Sequence, residues 1–148
     1  MPGAGDRERP RQPTRTLVGV RLYTQGWTAY VRAMHNAPAI IDRFYELIKA
    51  HDAERLAMLY SPNAEIIRYD GVASGQREIE VYYRGYLAGH SGMNLRQLDK
   101  IRDSGDVLMW DALVDSDNGV MQTIDVVILD EDGRILTHIP GFRGYWGR

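Results

Sequence analysis

The sequence contains no cysteine, and its apolar stretches are short. Without cysteine there can be no disulfide framework and no thiolate chemistry, which favours a cytoplasmic location. The apolar stretches fall far below the ~18 residues that a membrane span needs. The N-terminus is polar and rich in proline and arginine rather than apolar. We therefore expect neither a membrane span nor a signal peptide.

A strong net charge is missing as well. Eighteen lysines and arginines stand against 20 acidic residues, which leaves a net charge of −2. Composition therefore gives no reason to expect binding to nucleic acid or to an anionic membrane. The four histidines lack HxH or HExxH spacing, and no glycine-rich phosphate loop or nucleophile elbow is present. We accordingly expect no metal site and no cofactor.

What remains is the composition of an ordinary globular domain, with 44% hydrophobic and 26% charged residues. A chain of 148 residues is long enough to form one domain with its own core. Residues 1–16 are rich in proline, glycine and charge, and we predict that they form a disordered tail. Residues 17–36 are more apolar and are interpreted as an N-terminal extension, in which 27–34 could form a short helix. The main domain is predicted to span 37–148.

Within this domain, hydrophobic periodicity predicts helices followed by strands. Apolar residues at helical spacing predict helices over 38–52, 52–60 and 75–90, the second capped by Asp52 and stopped by Pro62. Alternation predicts a strand over 64–71 and further strands near 93–102, 106–116, 120–129 and 134–143. This order is typical of an α+β fold. We expect three N-terminal helices packed on a strongly curved, mainly antiparallel sheet.

One residue breaks the strand pattern. Asp125 lies in the middle of the apolar, β-branched run QTIDVVIL, where burying an ionised carboxylate without a partner costs several kcal/mol. If Asn118 and Gly119 form a two-residue type I′ turn, Asp125 lies opposite Ala112, with Trp110 on the same face. A four-residue loop over 130–133 would place Asp125 opposite His138, whereas a two-residue loop would place Pro140 there.

An Asp–His pair in an apolar cavity is a plausible general acid/base device. The alternative interpretation is a buried structural hydrogen bond, or an aspartate in contact with solvent at the edge of the sheet. The pattern alone leaves both open.

Three stretches carry a resemblance to a known superfamily. DRFYELIKAHDAERLAMLY (42–60), GQREIEVYYRGYL (75–87) and TIDVVILDEDGRILT (123–137) resemble the first two helices, the third helix, and the last two strands with their turn in ketosteroid isomerases and SnoaL-like polyketide cyclases. Nuclear transport factor shares this cone-shaped α+β fold. The similarity runs from about Ala39 to Trp146, and it implies the cone fold for the main domain.

The resemblance also implies roles for individual residues. Ketosteroid isomerases carry a carboxylic acid within the penultimate strand that donates a hydrogen bond to the enolate oxygen, and Asp125 falls on that position. His138 matches an apolar residue beside the acid. Tyr60, taken as the end of the second helix, and Tyr83 match two tyrosines of the supporting network.

Two positions depart from the isomerase pattern. The first-helix tyrosine corresponds to Phe44, although Tyr45 is adjacent, and the general-base aspartate corresponds to Arg68, with Asp70 two residues on. These departures argue against a steroid isomerase and favour the Asp/His chemistry of SnoaL-like cyclases and dehydratases. Arg68 could point into the cone and bind a substrate oxyanion or carboxylate, or it could form a salt bridge outside the cone.

The leading hypothesis is a cofactor-independent SnoaL-like enzyme that transfers protons on a hydrophobic, oxygenated small molecule, as an isomerase, cyclase or dehydratase. Asp125 and His138 are the predicted catalytic pair. Predicted substrate contacts are Tyr83, Tyr45, Tyr60, Arg68, Trp110 and Phe44; of the tyrosines on the third helix, only Tyr83 is expected to bring its hydroxyl to the cavity. The alternative is a non-catalytic ligand-binding or dimerisation module of the same fold. In either case we expect a cytoplasmic protein and, by analogy with this fold, a homodimer.

Overall fold

The computed structural model describes residues 39–146, so the tail and the extension predicted over 1–36 lie outside the described residues. Helix α1 covers 39–49, and α2 covers Ala53–Met58. Strands β1 (Tyr60–Arg68) and β2 (Gly71–Ser74) then precede α3 (Gly75–Ala88). Four long strands follow: β3 (Asn94–Asp103), β4 (Val107–Ser116), β5 (Gly119–Leu129) and β6 (Ile135–Tyr145).

All six strands form one curved sheet in the order β2-β1-β6-β5-β4-β3. Neighbouring strands are antiparallel except β1 and β6, which are parallel, so the sheet is mixed. Buried apolar residues of the helices and of one sheet face share a single core. Within 39–146, no helix is long and apolar enough to cross a membrane.

The second helix is shorter than predicted. Asp52 caps α2 as expected, since its Oδ1 accepts the Arg55 N–H at 3.0 Å. The helix nevertheless ends at Met58, and Tyr60 opens β1 instead of closing the helix. Pro62 lies inside β1, in the stretch between Tyr60 and Glu65 where the register to β6 shifts. A residue without an N–H suits such an irregular stretch because no ladder hydrogen bond is required of it.

The predicted β4–β5 register is wrong, and of the two β5–β6 alignments left open by the sequence, the one with His138 opposite Asp125 is wrong and the one with Pro140 opposite Asp125 is found. Ser116 pairs with Gly119, so the loop residues are Asp117 and Asn118, and Asp125 lies opposite Trp110 rather than Ala112. On the other side Asp125 lies opposite Pro140, and His138 pairs with Val127.

The turn between β5 and β6 explains why Asp125 lies opposite Pro140 and not opposite His138. Asp130 Oδ1 accepts the N–H groups of Asp132 and Arg134, each at 2.9 Å, and the register shifts between Ile128 and Leu129. Each error moves the partner by two residues. Because side chains alternate with a period of two, the face on which Asp125 lies is unchanged.

Candidate functional site

A cavity of about 430 Å³ lies between the helices and the inner face of the sheet. Its wall is mainly aromatic and aliphatic. The polar side chains that line it are Arg68, Asp70, His90, Thr123, Asp125 and His138, together with tyrosine hydroxyls. A cavity of this size and character is typical of small-molecule sites.

Asp125 and His138 meet in the wall of this cavity. His138 Nε2 donates to Asp125 Oδ1 at 2.9 Å, and the two residues are only 2% and 6% exposed, respectively. The side chains reach each other diagonally across β5 and β6, a separation within the range of long side chains on one face. The other carboxylate oxygen, Oδ2, accepts a longer hydrogen bond of 3.3 Å from Thr123 Oγ1.

The imidazole is also bonded on its far side. His138 Nδ1 lies 2.7 Å from the Tyr60 hydroxyl, which lies 2.5 Å from the hydroxyl of Tyr83. Tyr60 stacks on the imidazole at 6.1 Å between ring centroids, and Phe44 packs against it edge-on at 5.9 Å. Both ring nitrogens of His138 are therefore engaged within the protein.

Burial raises the pKa of the Tyr60 and Tyr83 hydroxyls well above the usual value, and the nearby Asp125 charge adds to this effect. Both phenols consequently stay protonated at neutral pH. They act as hydrogen-bond donors and acceptors and not as bases.

A second chain of hydrogen bonds reaches Asp125 from the side of α1. Trp110 Nε1 donates to the Tyr45 hydroxyl at 3.0 Å. Burial raises the pKa of Tyr45, and its hydrogen bonds with Trp110 and Thr123 act in the opposite direction. Trp110 thus donates to Tyr45, and Thr123 donates to Asp125 Oδ2.

The predicted substrate contacts are only partly brought together. Tyr45, Tyr83, Phe44 and Arg68 line the cavity. Tyr60 and Trp110 are not among its lining residues. Both are almost fully buried. Tyr60 is hydrogen-bonded to the lining residue His138, and Trp110 to the lining residue Tyr45.

Arg68 combines the two interpretations left open by the sequence. Its guanidinium carbon lies 4.5 Å from the centroid of the Tyr82 ring, and its Nε lies 3.4 Å from Asp70 Oδ1. It thus lines the cavity and forms an ion pair at the same time.

Sequence reasoning missed several lining residues. Tyr82 and Tyr86 line the cavity beside Tyr83, against the expectation that only Tyr83 would approach it. Their spacing along α3 was visible, but a tyrosine stripe at helical spacing is equally typical of core. His90 also lines the cavity, and its Nδ1 lies 2.8 Å from the Tyr86 carbonyl oxygen.

Solved structures share this architecture. A SnoaL-like protein of unknown function from Burkholderia thailandensis is similar over 73% of this chain and 95% of its own, with a TM-score of 0.63 and 15% identity. A protein from Sphaerobacter thermophilus matches over 71% of this chain and 94% of its own, with a TM-score of 0.60 and 14% identity. An NTF2-like protein of unknown function from Cytophaga hutchinsonii matches over 70% of this chain and 86% of its own, with a TM-score of 0.55 and 10% identity.

The sequence itself matches no protein-family model and no curated protein. Identities of this size establish the fold alone, and the expected SnoaL-like, or NTF2-like, fold is confirmed.

Proposed function

We propose that the protein is an enzyme that transfers a proton on a hydrophobic, oxygenated small molecule held in the cavity. One observation carries the proposal: a buried carboxylate, Asp125, opens on a largely apolar cavity and is hydrogen-bonded to a buried imidazole. A hydrogen-bonded carboxylate and imidazole in the wall of an apolar cavity are typical of acid/base sites.

The two members of the pair have different roles in this proposal. Asp125 exchanges the proton with the substrate, because Oδ2 has capacity beyond the hydrogen bond from Thr123. His138 is a positioning residue, because both of its nitrogens already bond to protein groups, Asp125 and Tyr60. In its neutral form it donates from Nε2 to the carboxylate and accepts at Nδ1 from the Tyr60 hydroxyl.

The proposed step is proton abstraction from a carbon next to a carbonyl. The C–H bond breaks, the proton moves to the Asp125 carboxylate, and the electron pair moves to the carbonyl oxygen. Tyr45 lines the cavity, accepts a hydrogen bond from Trp110 and stays protonated, so its hydroxyl can donate to that oxyanion, whereas the hydroxyl proton of Tyr83 is used on Tyr60. Isomerisation, cyclisation and dehydration all share this step.

Deuterium exchange tests the step without knowledge of the product. We expect the wild-type protein in D2O to accelerate loss of the α-proton NMR signals of ring ketones such as cyclohexanone, 1-tetralone or a 3-ketosteroid. Asp125→Asn removes the base while keeping its shape and should reduce the rate at least about 100-fold, within the range for general bases. Asp106→Asn, at an exposed position in the β3–β4 turn, is the matched control. Exchange that persists in Asp125→Asn would remove Asp125 from the mechanism.

A ligand-binding module is the second candidate, favoured by Arg68 and Phe44 at the positions where the isomerase pattern has its base and its first-helix tyrosine. Ketones that raise the melting temperature but never exchange would support that candidate. A cytoplasmic homodimer belongs to the proposal for either function, and light scattering of the purified protein tests its mass.

A further inference from the structure

Arg68 is a cationic side chain in the wall of the cavity, and the proposed proton transfer does not use it. It is the last residue of β1 and lines the open end of the cavity beside Tyr69 and Phe142, which are largely exposed. Its own side chain is 27% exposed. Among the side chains that line this cavity, all within 39–146, Arg68 is the only lysine or arginine.

The protein holds the guanidinium in place but does not use up its donors. The Tyr82 ring supports it at 4.5 Å, and the carboxylate of Asp70, itself 56% exposed, lies at an ion-pair distance of 3.4 Å. Arg68 Nε is nevertheless buried without a hydrogen-bond partner. A guanidinium has five N–H donors in a planar fork that matches a carboxylate. Nε itself is shielded from a ligand, so an anionic ligand group would bind at the part of the guanidinium that remains exposed.

The sheet also sets the distance between Arg68 and Asp125. Ile66 of β1 pairs with His138 of β6, so continuing the register by two residues brings Arg68 level with Pro140. Pro140 in turn pairs with Asp125 of β5. On this extension of the register, Arg68 and Asp125 lie on opposite sides of Pro140, two strands apart. At a strand spacing of about 4.8 Å, their backbones lie roughly 10 Å apart.

The charges of the cavity favour a ligand whose acid group lies at Arg68 and whose reacting carbon lies at Asp125. Asp125 would repel a ligand carboxylate placed next to it in apolar surroundings. An acidic group at Arg68 is far enough from Asp125 to leave the reacting carbon there. Asp70 competes with the ligand for the same guanidinium, so its removal should favour an anion.

We propose that Arg68 binds the carboxylate of the substrate, which would then be an apolar carbonyl compound carrying an acid group one or two rings away from its reacting carbon. This inference rests on the proposed function for the reacting carbon, whereas the recognition of the acid by Arg68 is independent of it.

A matched pair of probes tests the recognition. In fluorescence titrations at pH 7.5 and low salt, we expect 2-naphthoic acid to bind the wild-type protein at least tenfold more tightly than methyl 2-naphthoate. Arg68→Gln should abolish this difference while leaving the affinity for the ester unchanged, which also shows that the variant is folded. Arg68→Lys keeps the charge but loses the fork, so it should retain part of the preference.

Two further variants sharpen the result. Asp70→Asn should strengthen binding of the acid severalfold and leave the ester unaffected, whereas Arg102→Gln, at an exposed position on β3 at the other edge of the sheet, should change neither. Equal binding of acid and ester by the wild type, or a preference that survives Arg68→Gln, would overturn the proposal.

The two proposals fail separately. Asp125→Asn should lose exchange yet keep the preference for the acid. A preference that depends on Arg68 without any exchange would refute the proton transfer alone. Exchange that depends on Asp125 without a preference for acids would refute the recognition alone.

Discussion

At the scale of the residue, the buried Asp125 is tolerated because both of its oxygens accept hydrogen bonds, from His138 and from Thr123. A buried charge that is paired and bonded costs far less than an isolated one. The sequence identified Asp125 as anomalous and named His138 as its neighbour. It did not reveal the Trp110–Tyr45 contact, because that hydrogen bond joins a helix and a strand 65 residues apart.

Tyr60 tests the importance of the hydrogen-bonded chain. Tyr60→Phe removes the hydroxyl between His138 Nδ1 and Tyr83 and leaves both buried groups without that partner. We expect a loss of about 1–3 kcal/mol in the free energy of unfolding, measured by urea denaturation. Tyr69→Phe, at a fully exposed position, should change it by less than about 0.5 kcal/mol. Equal effects of the two substitutions would contradict the chain.

At the scale of the element, periodicity predicted where the helices and strands lie better than it predicted how the strands align. The four long strands lie within a few residues of their predicted positions. Register depends instead on turn geometry, and the β5–β6 turn is organised by the side chain of Asp130, which the spacing of turn residues does not reveal. The end of α2 was misplaced for a similar reason, since Tyr60 and Pro62 belong to an irregular start of β1.

The turn at Asp130 should make stability depend on acid pH. The hydrogen bond donated by the Ser61 hydroxyl, together with the backbone N–H groups of Arg134 and Asp132, lowers the pKa of Asp130 below its usual value of 3.8. Its contribution to stability is therefore fully present above about pH 4 and is lost as the pH falls through the lowered pKa.

Urea denaturation at several pH values checks this expectation. Asp130→Asn should be less stable than the wild type near neutral pH, and the difference should shrink below pH 4. A difference that stays constant between pH 7 and pH 3 would show that the Asp130 charge is not the cause.

At the scale of the whole molecule, the parallel pairing of β1 with β6 joins the first strand of the described residues to the last. This pairing brings Arg68 to the same cavity as Asp125 and His138 and places the Tyr60 hydroxyl against the His138 ring. The aromatic residues mostly form its wall, so the cavity stays open above one continuous core.

That core should respond strongly to truncation. Leu108 of β4 is fully buried, so Leu108→Ala should reduce the free energy of unfolding by about 2–5 kcal/mol, through lost burial and the void left behind. Val81→Ala on α3, at a residue 64% exposed, should cost less than about 0.5 kcal/mol. Calorimetry of the two variants checks the contrast, and similar melting temperatures would refute the assigned core.

The sequence by itself determined the α+β order of elements and the face of β5 on which Asp125 lies, because both follow from local periodicity and survive a register error of two residues. Only the tertiary structure decided which groups meet that carboxylate. The exact register, the β1–β6 pairing and the approach of α1 and α3 depend on turn geometry and long-range packing. Neither leaves a periodic signal along the chain.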